Sequence, residues 1–399
     1  TTLFRSKYML EANGRLDGSE KFPKSKRYGF FPSVSAAWRI SAEPFMEPFS
    51  GVLSNLKLRT SWGRAGTDNI GQFQYMSAYG TGGDAVFGGQ NPEIAPGYTE
   101  TRFPNPNITW ETSEMFNIGI DASFFNGKLN LEADWFYKKT NDILRERTDM
   151  PAILGYKLPA ANVGKVDNRG IDLNITHRNH LRDFNYSIAG NLTWARNKVI
   201  DLLEPAGEKN NPRQRSTGHS MSQYFGYEAL GLFQSDEEAN NWPQPQFGKA
   251  KAGDIKYKDQ NGDGIIDAED EIAIGRSNYP ELVYGLNLNA EWKGFDVTFF
   301  FQGAALADFY YNGYLAFPYI EGRGGALLEH HIGNTWTPEN PKAEFPRLYY
   351  GGNANNQLFS SFWMRNGSYL RLKNVEIGYD FKKLLLSKVS RSEERRVGK

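Results

Sequence analysis

Residues 259–270 read Asp-Gln-Asn-Gly-Asp-Gly-Ile-Ile-Asp-Ala-Glu-Asp. Oxygen-bearing side chains stand at positions 1, 3, 5, 9 and 12 of this stretch: Asp259, Asn261, Asp263, Asp267 and Asp270. Gly264 falls at position 6, where a calcium loop of the EF-hand kind turns sharply. Ile265 follows at position 7, which contributes a backbone carbonyl, and Ile266 is placed to pack inward. The expected metal ligands are therefore Asp259, Asn261, Asp263, Ile265, Asp267 and Asp270, around a structural Ca2+. The departure is Asp270, which is shorter than the bidentate Glu of an EF-hand. An affinity of about 10⁻⁴–10⁻³ M suits such a site. The plainer alternative is an Asx-rich turn that needs no ion.

Other chemistry is thin. There are no cysteines, which removes disulfides, thiolate metal sites and a cysteine nucleophile. Gly80-Thr81-Gly82-Gly83-Asp84-Ala85 matches a dinucleotide fingerprint but lacks the strand–helix context that gives the fingerprint meaning. His330-His331 reads as a polar loop pair, because adjacent side chains diverge too far to chelate well. No H-E-x-x-H, G-x-S-x-G or P-loop occurs. No enzyme activity is expected. Ten aromatics in loop segments (Tyr75, Tyr79, Phe87, Tyr98, Phe309, Tyr310, Tyr311, Tyr314, Phe317 and Tyr319) suit either stacking on sugars or packing of loops and a partner. Basic and acidic residues number 46 each among 399, so bulk electrostatics offer nucleic acid nothing.

The elements that must carry these loops are strands. Phe116, Ile118, Ile120, Ala122 and Phe124 share one face, and Asn117, Gly119, Asp121 and Ser123 the other. Asn126-Gly127 then marks a hairpin turn, since both positions need φ > 0. Leu129, Leu131, Ala133, Trp135 and Tyr137 return on the apolar side. The same period-2 pattern recurs at 56–62, 171–176, 184–194, 284–292 and 295–301, with further strands at 29–40 and 369–381. About ten long strands result. Most are near 10 residues, the length of a tilted bilayer crossing and about twice that of a sandwich strand. Hydrophobic content is only 39 % while aromatics reach 14 %, as alternating strands with aromatic belts require. Trp38, Trp62, Trp110, Trp135, Trp194 and Trp292 read as such belts. Short connections (125–128, 179–183, 293–294) alternate with long ones (66–108, 144–167, 198–281, 305–368), as in an up-and-down barrel. The segment 224–233 fits the 198–281 excursion better than a crossing.

Specific residues then become recognisable. They include Tyr28-Gly29-Phe30-Phe31-Pro32-Ser33 running to Trp38, Leu56-Lys57-Leu58-Arg59-Thr60-Ser61-Trp62-Gly63, and Trp110-Glu111-Thr112-Ser113 before Asn117-Ile118-Gly119-Ile120-Asp121. Asn168-Arg169-Gly170-Ile171-Asp172, Gly231-Leu232-Phe233-Gln234, Trp336-Thr337-Pro338-Glu339-Asn340-Pro341 and Tyr369-Leu370-Arg371-Leu372-Lys373-Asn374 continue the series. In number and order they make the chain resemble the C-terminal part of SusC/RagA-type TonB-dependent outer-membrane transporters. The resemblance implies a transmembrane antiparallel β-barrel of about 22 strands, of which this chain supplies an incomplete set. It implies import of oligosaccharides or peptides, a SusD-like lipoprotein lid, and energy from the TonB–ExbB–ExbD system. It also implies that the plug, the TonB-contacting segment and the remaining strands lie outside this chain. Residues 1–389 are assigned to the barrel part and 390–399 to a charged tail without periodicity. Two other readings stay open. One is a soluble or surface-anchored β module that binds carbohydrate with calcium support; the other is a siderophore-type receptor. A second sheet stacked on the apolar stripe of 116–137 would favour the soluble module.

Overall fold

The computed structural model describes residues 2–4, 7–89, 92–146, 159–204, 215–319 and 327–381. The expected tail at 390–399 lies outside them. One sheet of eleven strands dominates. Its strands are β1 (Thr2–Phe4), β2 (Tyr8–Gly18), β3 (Tyr28–Arg39), β4 (Leu53–Thr67), β5 (Glu111–Phe124) and β6 (Leu129–Glu146). β7 (Ala160–Leu181), β8 (Phe184–Asp201), β9 (Leu282–Trp292), β10 (Phe295–Ala305) and β11 (Tyr369–Tyr379) complete it. Every strand lies antiparallel to its neighbour in chain order. Among the described residues β1 and β11 do not pair, so the sheet is open at both edges.

Local sequence explains the hairpins. Asn126 and Gly127 both take positive φ (55° and 83°), as do Lys293 and Gly294 (49° and 92°), which lets the chain reverse with the strand twist. Short turns gather at one end of the sheet. The strand ends that lead into the long connections, Thr67 and Glu111, Glu146 and Ala160, Asp201 and Leu282, Ala305 and Tyr369, lie at the other, which is the alternation an up-and-down barrel needs. β6 and β7 run farther into their connection than the sequence pattern indicates, to Glu146 and from Ala160. Residues 224–226 and 229–232 form small two-stranded ribbons inside the 202–281 excursion and do not cross the sheet.

Register sorts the faces. Ile120, Ala133, Leu173 and Leu192 stand opposite one another across four strands. One residue along, Asp121, Glu132, Asn174 and Asn191 line up on the other face. The apolar stripe stays uncovered: Phe116, Ile118, Ile120 and Trp135 are each 40–44 % exposed. Among the described residues the remaining sheets are two-stranded ribbons, so no second large sheet stacks on this stripe. The soluble-sandwich reading fails on that point.

The apolar face carries aromatics near both ends. Trp62, Phe116, Trp135, Tyr137 and Trp194 lie toward the long loops. Trp38, Phe184, Trp292, Phe295 and Tyr379 lie toward the short turns. Phe184 and Trp194 are ten residues apart on β8. At about 3.3 Å per residue that is ~33 Å along the strand. A tilt of about 40° reduces it to ~25 Å, the height of a barrel's lipid-facing band. Trp110 corrects one expectation. It belongs to no belt, being 8 % exposed and packed between Phe22 (5.2 Å) and Phe31 (5.4 Å), with its Nε1 donating to the Arg27 carbonyl at 3.2 Å.

Candidate functional site: a polar wall capped by a packed loop body

The non-apolar face of the sheet holds an ion-paired network. Alternation aims Lys57 and Arg59 of β4 to the same side as Asp121 of β5 and Asp134 of β6. Arg59 Nη2 lies 2.7 Å from Asp121 Oδ1 and 2.9 Å from Asp134 Oδ2, and Lys57 Nζ lies 3.1 Å from Asp121 Oδ2. Arg59 reaches Asp134 by crossing β5 over Gly119, its register partner. A Cβ at Gly119 would meet Asp134 Oδ1 at 2.1 Å, so only glycine leaves this path open. Two cations and two carboxylates balance in the network, and their side chains are a quarter to a third exposed. Charged pairs of that exposure hold a surface in place and leave hydrogen-bonding capacity for solutes. Asn130, Glu132, Asn174, Thr176, Asn191 and Asn287 extend this polar lining. The wall suits a hydrophilic passage.

The compact core of the molecule lies in the loops. Tyr227, Leu232, Ile255, Tyr257 and Ile266 from the first long excursion pack against Trp336, Phe345 and Trp363 from the second. A fully buried carboxylate ties the two together. Asp254 Oδ2 accepts from Lys251 N (2.8 Å) and from the Tyr349 hydroxyl (2.9 Å), while Oδ1 accepts from Asn356 Nδ2 (2.9 Å). Burial pushes the Asp254 carboxyl above its usual range, and the Asn356, Lys251 and Tyr349 donors pull it back. Burial, with Asp254 beside it, raises the Tyr349 phenol to about 12.

His331 also sits in this body, fully buried and edge-on to Phe345 at 4.6 Å. The polar-loop reading of the pair therefore holds for His330, which is exposed, and fails for His331. Both Nε2 atoms approach the Leu315 carbonyl, at 2.8 Å from His330 and 3.1 Å from His331, and the two rings lie 4.0 Å apart. Leu328 N donates to His331 Nδ1 at 3.3 Å, which leaves that nitrogen no room for a proton. Burial, then the neighbouring His330, lowers the His331 pKa. Above the unfolded value of about 6.5 the imidazole is neutral in both states and nothing is lost. As pH falls through about 6.5, the unfolded loop binds a proton that the folded loop refuses, so stability declines. Proteolysis of the 306–368 loop should accelerate between pH 7.5 and 5.5, and His331→Asn should flatten that dependence. An unchanged pH profile in the variant would show that another group is responsible.

The six expected metal ligands fall on two successive turns. Asp259 accepts from Gly262 N (2.6 Å) and Gly264 N (2.9 Å), with both glycines at positive φ (78° and 84°). Asn261 donates to Asp263 at 2.9 Å, and Asp263 accepts from Ile265 N at 2.8 Å. Asp267 and Asp270 form a separate capping pair around residues 268–270. There the buried Asp270 accepts from Gln260 N (2.6 Å) and Asp267 N (3.0 Å). Ile266 enters the loop core, 1 % exposed. The donor set is oxygen throughout, which fits a hard divalent cation. Among the described residues no three acidic or histidine side chains converge as a ready ligand cluster.

The loop aromatics divide. Tyr310, Tyr311 and Phe317 pack on the main loop core, and Tyr75 on the Phe22–Trp110 cluster. Tyr79, Phe87 and Tyr98 on the 78–102 arm, and Phe309 and Tyr314, stay exposed.

Comparison with known proteins bears on this arrangement. The profile of the family "TonB dependent receptor-like, beta-barrel" matches residues 3–390. The chain belongs to that family. TonB-dependent receptor P26 of Formosa agariphila is 33% identical over 390 residues, covering 94% of this chain and 38% of the relative. TonB-dependent receptor SusC of Bacteroides thetaiotaomicron is 27% identical over 393 residues, covering 95% and 37%. The solved structure of the RagAB peptide transporter superposes with a TM-score of 0.74 at 24% identity, over 94% of this chain and 39% of that one. The chain thus spans about two fifths of the length of these relatives.

As a TonB-dependent receptor β-barrel, the protein is an outer-membrane protein, and an uncovered apolar face is the one that such a barrel turns to lipid. Its polar wall and loop body are then the inner and outer-surface parts of a barrel. Sequence reasoning missed three features of this receptor: the Gly119 crossing in the wall, and the Asp254 tie and the burial of His331 in the loop body. Gly119 was visible as a glycine inside a strand pattern, which signals close approach. The other two depend on contacts between distant segments.

Proposed function

We propose that this chain forms an arc of the wall and the mouth of an outer-membrane importer for oligosaccharides or peptides. The observation that carries the reading is the division of one open sheet into an uncovered apolar face and an ion-paired polar face, with packed loops at one end only. In this reading the polar wall lines the passage, and exposed Tyr79, Phe87, Tyr98 and Tyr314 offer stacking surfaces at the mouth. A SusD-like lipoprotein closes the mouth from outside. TonB–ExbB–ExbD supplies energy through the part of the receptor's length that this chain does not span. In this reading the protein moves its cargo without altering it, as the family's receptors do.

The test is uptake in cells that carry the complete receptor or lack it, over a panel of oligosaccharides and peptides, with TonB present or absent. The reading expects one class to require both receptor and TonB, and a lipoprotein to co-purify. Uptake that is indifferent to the receptor across the panel would contradict it. Receptor-dependent uptake of an iron chelate, with no lipoprotein, would favour the siderophore alternative.

The 259–270 turn joins this reading as a structural calcium site. Asp259, Asn261, Asp263, Asp267 and Asp270, with the Ile265 carbonyl, would hold the ion. The cation would draw these side chains together and stiffen the first excursion. Calorimetric titration should give an affinity of about 10⁻⁴–10⁻³ M, and Asp263→Ala should weaken it at least tenfold. Equal heats from wild type and variant would remove the site.

A further inference from the structure

Four cations stand on the lipid face just beyond the aromatic belt on the long-loop side. In β6, Tyr137 and Lys139 continue the face of Trp135; in β7, Arg169 and Asp167 continue that of Ile171; in β8, Arg196 and Lys198 continue that of Trp194. Register places Tyr137, Arg169 and Arg196 side by side, and Lys139, Asp167 and Lys198 side by side one step higher. Neighbouring strands are about 4.8 Å apart, so Lys139, Arg169, Arg196 and Lys198 crowd into a patch about one headgroup wide. All four are exposed. Two acidic neighbours offset only part of their charge. Asp167 accepts the Tyr137 hydroxyl, and Glu281 reaches Arg196 at 3.4 Å.

Arg169 directly opposite Arg196 is a like-charge cross-strand pair, which costs stability unless an anion lies between them. The segment 216–223 folds along the upper edge of β8, where Val199 N donates to the His219 carbonyl and Gly218 N to the Val199 carbonyl, both at 2.8 Å. It walls a cavity of about 400 Å³ that Tyr137, Asp167, Arg169, Arg196, Lys198 and His219 help to line. Arginine forks match phosphate oxygens in pairs, and lysines add point charge. Basic clusters at a membrane boundary recognise anionic headgroups.

We propose that this patch binds the phosphate of a phosphorylated glycolipid in the outer leaflet of the outer membrane. Arg169 and Arg196 grip the phosphate, Lys139 and Lys198 flank it, and the Trp135, Ile171 and Trp194 band receives the acyl chains below. The assignment rests on the lipid-facing orientation of the apolar stripe and is independent of the cargo.

The experiment purifies the complete receptor in detergent, exchanges it into vesicles, and counts retained glycolipid by mass spectrometry. Wild type should retain phosphorylated glycolipid at least tenfold better than the same glycolipid after dephosphorylation. Arg169→Gln with Arg196→Gln should lose that preference, while Lys293→Gln at the short-turn end should keep it. Raising salt to about 1 M, which shortens the Debye length to about 3 Å, should weaken retention in wild type only. Equal retention of the two glycolipids by wild type overturns the proposal even where the double variant fails to fold. Tight binding of inorganic phosphate alone, with no gain from the lipid, overturns the lipid as its source. Uptake that is unchanged in the double variant is the expected outcome, and it separates this site from the transport reading.

Discussion

Asp254→Ala should unfasten the loop body while leaving the strand wall in place. Four donors, Lys251 N, the Tyr349 hydroxyl, Asn356 Nδ2 and, at 3.4 Å, Asn353 Nδ2, lose their acceptor, a fully buried carboxylate. Each stranded buried donor costs about 1–3 kcal/mol, so the loop body should lose about 3–5 kcal/mol. The Ile255 amide, which donates to Asn356 Oδ1 at 2.9 Å, is the reporter, because Asn356 is held by Asp254. Its hydrogen exchange should speed up by about 10²–10³-fold. Asp254→Asn should fall between, since an amide keeps one acceptor but turns a donor toward two others. Burial raises the folded pKa of Asp254, so stability should decline as pH climbs from the ordinary carboxylate value of about 3.9 to the folded value, and level off above it. Exchange rates within twofold of wild type would show that the two excursions are joined elsewhere.

Ile175→Arg should destabilise the barrel by about 2–4 kcal/mol, the cost of a cation near the bilayer midplane on a lipid-facing strand position. Ile175 lies between the two aromatic belts, pairs with Leu131 and Gly190, and is 41 % exposed. Asn174→Arg, one residue away, enters the polar wall opposite Glu132 and Asn191 and should cost little. Urea titration of the complete receptor in vesicles compares the two. A soluble β module would tolerate both changes alike on its exposed faces, so equal costs would count against the membrane assignment.

The wall was legible in the sequence because its information is local. Period-2 alternation from Phe116 to Tyr137, and a turn at Asn126-Gly127 that needs positive φ, specify a hairpin and both its faces without distant partners. The loop body was not legible for the opposite reason. Asp254 and Asn356 are about a hundred positions apart, and no periodicity marks either. Trp110 looked like a belt residue from its place before a strand, yet it fills the gap between Phe22 and Phe31, which arrive from another hairpin. His330-His331 read as polar because adjacency suggests divergence, and a local 3₁₀ turn at Glu329–His331 instead brings both rings to one carbonyl. The 259–270 spacing was plain in sequence. Its backbone turn follows that spacing, with Gly262 and Gly264 bent around Asp259.

This chain holds no cysteine, so once any cysteine elsewhere in the complete receptor is replaced the central claim is open to direct measurement. Single cysteines placed in turn at 116, 117, 118, 120 and 121 in the complete receptor, sparing Gly119, and spin-labelled in lipid vesicles, report whether each position meets hydrocarbon or water. Labels at 116, 118 and 120 should collide preferentially with dissolved oxygen, which concentrates in lipid, and those at 117 and 121 with a water-soluble nickel chelate. A trace without that two-residue alternation, or with its phase reversed, would contradict the assignment of this apolar face to the membrane.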